Sequence, residues 1–182
     1  MFLEKLKRYP KNIFLLVIAI IGLLIFLLVN IFVFVPINQL VPGYGILDFE
    51  FAWVSERVLL IFSSWGPSGM VLEALAIYWD FLYIVGYASF ISGAILLITR
   101  RLEGKIQKVG LWMTLTPILA GILDVIENIN LLIMLNNPSG FAASAPLIAS
   151  ICATIKFGFL FIAIGFALVA CVILLLRKRK ST

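Results

Sequence analysis

The sequence contains no histidine and only two cysteines. The first absence excludes His-ligated haem, most zinc chemistry and any histidine-based catalytic triad. Cys152 and Cys171 fall on one predicted helix, roughly 28 Å apart at 1.5 Å rise per residue, too far to bond within a chain. With no Cys-x-x-Cys pattern, thiol redox chemistry is not indicated, and both cysteines read as small packing residues. Nothing in the sequence implies a cofactor, and no pattern identifies a metal. Charge is scarce too: 13% of the 182 residues are Asp, Glu, Lys or Arg, about half the share in ordinary soluble domains.

Hydrophobic residues make up 63% of the chain. They are concentrated in four stretches, at about 13–35, 70–98, 110–135 and 146–176, each long enough to cross a bilayer as a helix. The expected fold is therefore an all-α integral membrane protein, one domain over 1–182. It is a four-transmembrane-helix bundle with a short amphipathic outer helix between the first and second spans. That helix lies in the outer loop 36–69. Pro36, which ends the first span, and Pro42, Gly43 and Gly45 break structure first. WVSERVLLIFSSW (53–65) then supplies a polar start at Ser55, Glu56 and Arg57. Trp53 and Trp65 sit at its ends, at the headgroup level. It reads as a helix lying on the bilayer or as a lid over the bundle mouth. Pro117 is placed to kink the third span.

The 14 basic residues sort sharply. Four precede the first span (Lys5, Lys7, Arg8, Lys11), four fill the loop after the second (Arg100, Arg101, Lys105, Lys108) and four close the chain (177–180). The positive-inside rule places both termini and the loop 100–108 in the cytoplasm, and 36–69 and 136–145 outside, as in a multi-pass protein of the cell membrane. The basic clusters suit anionic lipid; they form no soluble basic face for nucleic acid.

Against this apolar background the stretch PILAGILDVIENINL (117–131) stands out. At about 100° per residue, Asp124, Glu127 and Asn128 share one helical face, Ala120 and Gly121 continue it, and Asn130 flanks it. A carboxylate at bilayer depth costs roughly 2.5–3.5 kcal/mol on insertion scales, so these groups face protein or water. Glu73, Asp80, Tyr83 and Tyr87 form a matching stripe on the second span. Lys156 sits within a small-residue stripe of the fourth (Ala149, Cys152, Ala153, Ala163, Ala167, Ala170), and Asn30 lies near the outer end of the first. Counting from the outer ends brings Asp80, Asp124 and Lys156 to similar depths, with Glu127 shallower.

Ionised together, Asp80, Asp124 and Glu127 beside Lys156 would carry about −2, so the cluster must keep a proton or admit water or a cation. The expected function is an outward-facing acidic/Lys site binding a proton, cation or amine-bearing ligand, in a small transporter or ligand-binding subunit. Asp80, Tyr83, Tyr87, Asp124, Glu127, Asn128, Lys156, Glu73 and Asn30 would form that site. Four helices are few for a complete transport path, which suggests a homodimer. Two other readings stand beside it. In one, the polar network of a structural or accessory subunit only fixes helix packing. In the other, an intramembrane enzyme acts on lipid or peptide through Asp80 and Asp124 as paired carboxylates. No Gly-x-Gly-Asp pattern accompanies that pair, and the balance leans away from catalysis.

Overall fold

The computed structural model describes residues 2–41 and 43–180, the side chains of Phe2 and of 178–180 aside. The expected break at Pro42 and the side chains of the basic tail beyond Arg177 lie outside that description. Among the described residues the secondary structure is helical throughout, without strands. Four segments are long and apolar enough to cross a membrane: Asn12–Leu40, Ser55–Thr99, Gly104–Asn136 and Ser144–Arg177. Their outward surfaces are apolar as well, with Phe32, Val71, Phe161 and Leu168 well exposed. A surface of that kind suits lipid and suggests a helical membrane protein.

The chain begins with a short helix, α1 (Phe2–Leu6), and then α2 (Asn12–Val29). Arg100 ties this start to the far end of the second span. Its guanidinium donates to the carbonyls of Leu6 (2.6 Å) and Pro10 (2.7 Å) and to Asn12 Oδ1 (2.6 Å). Pro36 does not end the first span. A π-helical turn (Asn30–Phe34) follows α2 directly, and α3 (Val35–Leu40) follows the turn, with Pro36 in its first turn. A proline there needs no N–H, and the wider turn before it relieves the ring's clash with the preceding carbonyls.

The expected outer loop is mostly helical. A short α4 (Ile46–Glu50) leads into α5 (Ser55–Thr99), which continues from the expected outer helix into the second span. The two parts of α5 meet at a kink, where Gly66 adopts φ 62°, ψ −179°, a conformation essentially reserved for glycine, followed by Pro67. The segment 55–65 does not simply lie on a surface. Val58, Ile61, Phe62 and Trp65 are buried, together with Phe49, Leu131, Met134 and Ala149. Phe49 meets the rings of Phe62 and Trp65 edge-on at 5.3 and 5.4 Å. Trp65 also donates to the Tyr44 carbonyl at 2.6 Å. Only Trp53 of the two expected interfacial tryptophans is exposed; an aromatic box around Phe49 takes Trp65 inside.

The third span is two helices, α6 (Gly104–Met113) and α7 (Thr116–Asn136). The break falls just before Pro117, which sits in the first turn of α7 rather than kinking a continuous helix. The last helix is α8 (Ser144–Lys180). In the bundle α2 packs on α5, α5 on α7 and α7 on α8, with α5 also meeting α8. Close approach of α2 and α5 depends on glycine. A Cβ on Gly86 would lie 2.8 Å from the Phe26 nitrogen, and one on Gly22 would lie 2.7 Å from the Gly86 carbonyl oxygen. On α8, Ala149, Ala153, Ala163 and Ala170 of the expected small-residue stripe are fully or almost fully buried, and Ala167 is half-buried.

Candidate functional site

Lys156 lies about 18 Å along α8 from its first residue. The residue is 4% exposed. The small residues around it on the buried face bring α8 close to α7, so the lysine stem is enclosed and its ammonium must find partners there. It finds three. Nζ lies 2.7 Å from Asp124 Oδ1, 2.9 Å from Glu127 Oε2 and 3.4 Å from Glu50 Oε2. The expected meeting of Lys156 with Asp124 and Glu127 is thus present. Their three-residue spacing on α7 puts both carboxyls on the face turned to α8.

Glu50 was not expected. It comes from α4, inside the stretch 36–69 expected as an outer loop. Apolar and acidic residues alternate in LDFEF (47–51), a pattern too short to say which side faces inward. The usable signal was an acid held between two aromatics, Phe49-Glu50-Phe51, in an apolar loop. Its placement is fixed by Ser150 on α8. The Ser150 hydroxyl donates to the Glu50 carbonyl at 2.7 Å and accepts from the Trp53 N–H at 3.0 Å. Phe51 stacks on Phe157, centroids 5.7 Å apart. The Glu50 carboxyl is held above the ordinary carboxylate range by burial, against the pull of Lys156.

The second half of the site is on α5. Tyr87 donates to Asp124 Oδ2 at 2.9 Å, and Asn128 donates through Nδ2 to Asp80 Oδ2 at 2.6 Å. Asp80 and Asp124 therefore hold different partners. A Cβ on Gly121 would lie 3.0 Å from Ile84 Cγ2 and 3.7 Å from the Tyr87 hydroxyl, so the glycine lets α5 and α7 approach at this level. Tyr83 stacks on Phe26 at 4.8 Å and meets Phe34 edge-on at 5.0 Å. Asn130 does not join the site; its amide caps the Ile126 carbonyl of its own helix at 2.8 Å.

These groups surround a cavity of about 870 Å³ between α2, α4, α5, α7 and α8. Of the nine residues expected from sequence, Asn30, Glu73, Asp80, Tyr83, Tyr87, Asp124, Asn128 and Lys156 line it; Glu127 sits behind Lys156, 0% exposed. The segment reaching over the cavity is α4 with the Gly45 before it, through Asp48 and Glu50, and not 53–65, whose apolar face is spent on the Phe49 box.

The charge balance is one-sided. Glu50, Glu73, Asp80, Asp124 and Glu127 stand against Lys156 alone, −4 if all five carboxyls are ionised. Among the described residues, neither oxygen of Glu127 has a hydrogen-bond donor, Oε2 meeting Lys156 as an ion pair outside hydrogen-bond geometry. Glu73 is 2% exposed, lines the cavity, and has neither hydrogen bond nor ion pair among those residues. No cluster of three or more Cys, Asp or Glu suited to a metal occurs among them, and Cys152 and Cys171 are free thiols.

Comparison with known proteins finds no matching family model, no similar curated protein and no similar solved structure.

Proposed function

We propose that this chain is a four-span membrane protein that binds an amine-bearing cation in the cavity between its helices. The basic residues at 5–11, 100–108 and 177–180 would lie on the cytoplasmic side, which puts α4 and the cavity mouth outside. The observation that carries the reading is the pair Glu73 and Asp80. Both face the cavity, neither has a cation, and Glu73 has no partner at all among the described residues. A buried carboxyl in that state either keeps a proton or takes up a positive ligand. A volume of about 870 Å³ is in the range of organic-ligand pockets, roughly 300–1,000 Å³. Tyr83, Phe26 and Phe34 offer ring faces, which attract an ammonium.

The test is binding to the full chain in lipid nanodiscs. Benzylamine is expected to bind and benzyl alcohol to bind at least tenfold more weakly. Asp80→Asn with Glu73→Gln should reduce benzylamine affinity by a similar factor. Equal affinity for amine and alcohol would remove the basis of the proposal. A structural role is favoured by a separate observation, the hub of Lys156 with Glu50, Asp124 and Glu127, which ties α4, α7 and α8 together. That hub accounts for three carboxyls and leaves Glu73 and Asp80 unexplained.

A further inference from the structure

The cavity has walls beyond its carboxyls. The bundle is an open series: α2 on α5, α5 on α7, α7 on α8, with no packed interface between α2 and α8. The cavity occupies that gap, since Phe26 of α2 and Leu160 and Ile164 of α8 line it together. From Glu73 to Ile91, both lining residues of α5, the helix rises about 27 Å. Spread over that length, 870 Å³ describes a narrow cleft. Its levels differ in chemistry. Glu50 and Glu73 are nearest α4, then come Asp80 with Lys156, then the ring of Tyr83 stacked on Phe26. Next is Tyr87, whose hydroxyl is taken up by Asp124, and beyond it the lining is apolar, with Phe90, Ile91, Leu160 and Ile164.

Resting on the amine-binding reading above, we propose that the cleft binds a single-chain amphiphilic amine. Its head would lie at Glu73 and Asp80, and its alkyl chain would run along the gap between α2 and α8, reached sideways from the bilayer. Three features select this ligand. The two carboxyls without a cation sit seven residues apart on α5, about 10.5 Å of helix rise, too far to share one bare ion. The arm beyond Tyr87 is lined by Phe90, Ile91, Leu160 and Ile164; it offers nothing to hold a soluble amine's other end, but suits methylenes, each worth roughly fourfold in affinity when taken out of water. Finally, five carboxyls against one ammonium repel a phosphate, which disfavours ordinary phospholipids even when they carry an amine.

The experiment uses the full chain in phosphatidylcholine nanodiscs and a dodecylamine carrying a diazirine at the chain end. Photolabelling is expected on the stretches around Phe26, Phe90, Leu160 and Ile164. It should saturate, be displaced by excess dodecylamine, and fall at least tenfold for the matching alcohol probe. Ile164→Trp, or Leu160→Trp should the first variant not fold, fills the arm and is expected to abolish the label while leaving benzylamine binding in place. Unsaturable labelling spread over lipid-facing residues such as Phe161 and Leu168, with benzylamine still bound, would overturn the chain-in-cleft arrangement and leave the amine site standing. Failure of both amines to bind would overturn the two together.

Discussion

At the scale of single residues, the question is how one ammonium is shared. Lys156 faces Glu50, Asp124 and Glu127 within 3.4 Å, and removing it leaves three enclosed carboxyls without a counter-charge. Lys156→Met is expected to cost roughly 3–5 kcal/mol, the range for breaking a buried ion pair from one side. Adding Asp124→Asn or Glu127→Gln should return part of the loss, measured as thermal stability in detergent. Strictly additive losses in both double variants would mean that the lysine is not coupled to the acids. This pairing was legible in the sequence because Lys156, Asp124 and Glu127 each interrupt a periodic apolar helix, and periodicity fixes both face and depth. Glu50 was not legible, because a five-residue helix gives too little period to say which side is buried. What holds it is a tertiary contact, the Ser150 hydroxyl one hundred residues away.

At the scale of elements, two junctions control whether the cavity keeps its form. The first is α2 on α5, where Gly22 and Gly86 leave no room for a side chain. Gly86→Leu is expected to force α2 away from α5, break the Phe26–Tyr83 stacking, and cost several kcal/mol through overpacking and lost contacts. Crosslinking yield between cysteines placed at Ala19 and Ser92 would report it, and an unchanged yield would contradict the close approach. The second junction is α4 on α8. Glu50 faces Lys156 on α8, Asp124 and Glu127 on α7, and Glu73 on α5. Because burial raises its carboxyl pKa, the folded chain binds that proton more tightly than the unfolded chain does. The stability so gained is full below the ordinary carboxyl value of 4.5 and is lost as pH rises through the raised one. Unfolding measured from pH 5 upward should therefore show falling stability, with a shallower slope in Glu50→Gln; identical slopes would exclude Glu50 as a source. The sequence also indicated a helix at 53–65; the structure starts it at Ser55 and carries it through the Gly66 kink into the second span. Its role as a wall for Phe49, and the passage of the first span through Pro36, depend on a π turn and an aromatic box that no local pattern announces.

At the scale of the whole molecule, the arrangement is polar along its long axis. The ends of the described chain and the loop between α5 and α6 gather at one end, while α4 and the α7–α8 connection gather at the other. Single cysteines at Glu103 and Ser139, both exposed, are expected to be labelled by an impermeant maleimide from opposite sides of the membrane; labelling of both from one side would overturn the proposed topology. The Lys156 hub has a further bearing on how such a chain is made. Synthesis proceeds from the N-terminus, so Glu50, Glu73, Asp80, Asp124 and Glu127 all leave the ribosome before the one cation that balances three of them. Until α8 arrives, the earlier helices hold acids with no counter-ion and an unfilled face on α7. A chain interrupted before residue 144 therefore lacks the counter-charge for Glu50, Asp124 and Glu127. Arrival of α8 supplies that counter-charge and covers the face of α7 left unfilled until then.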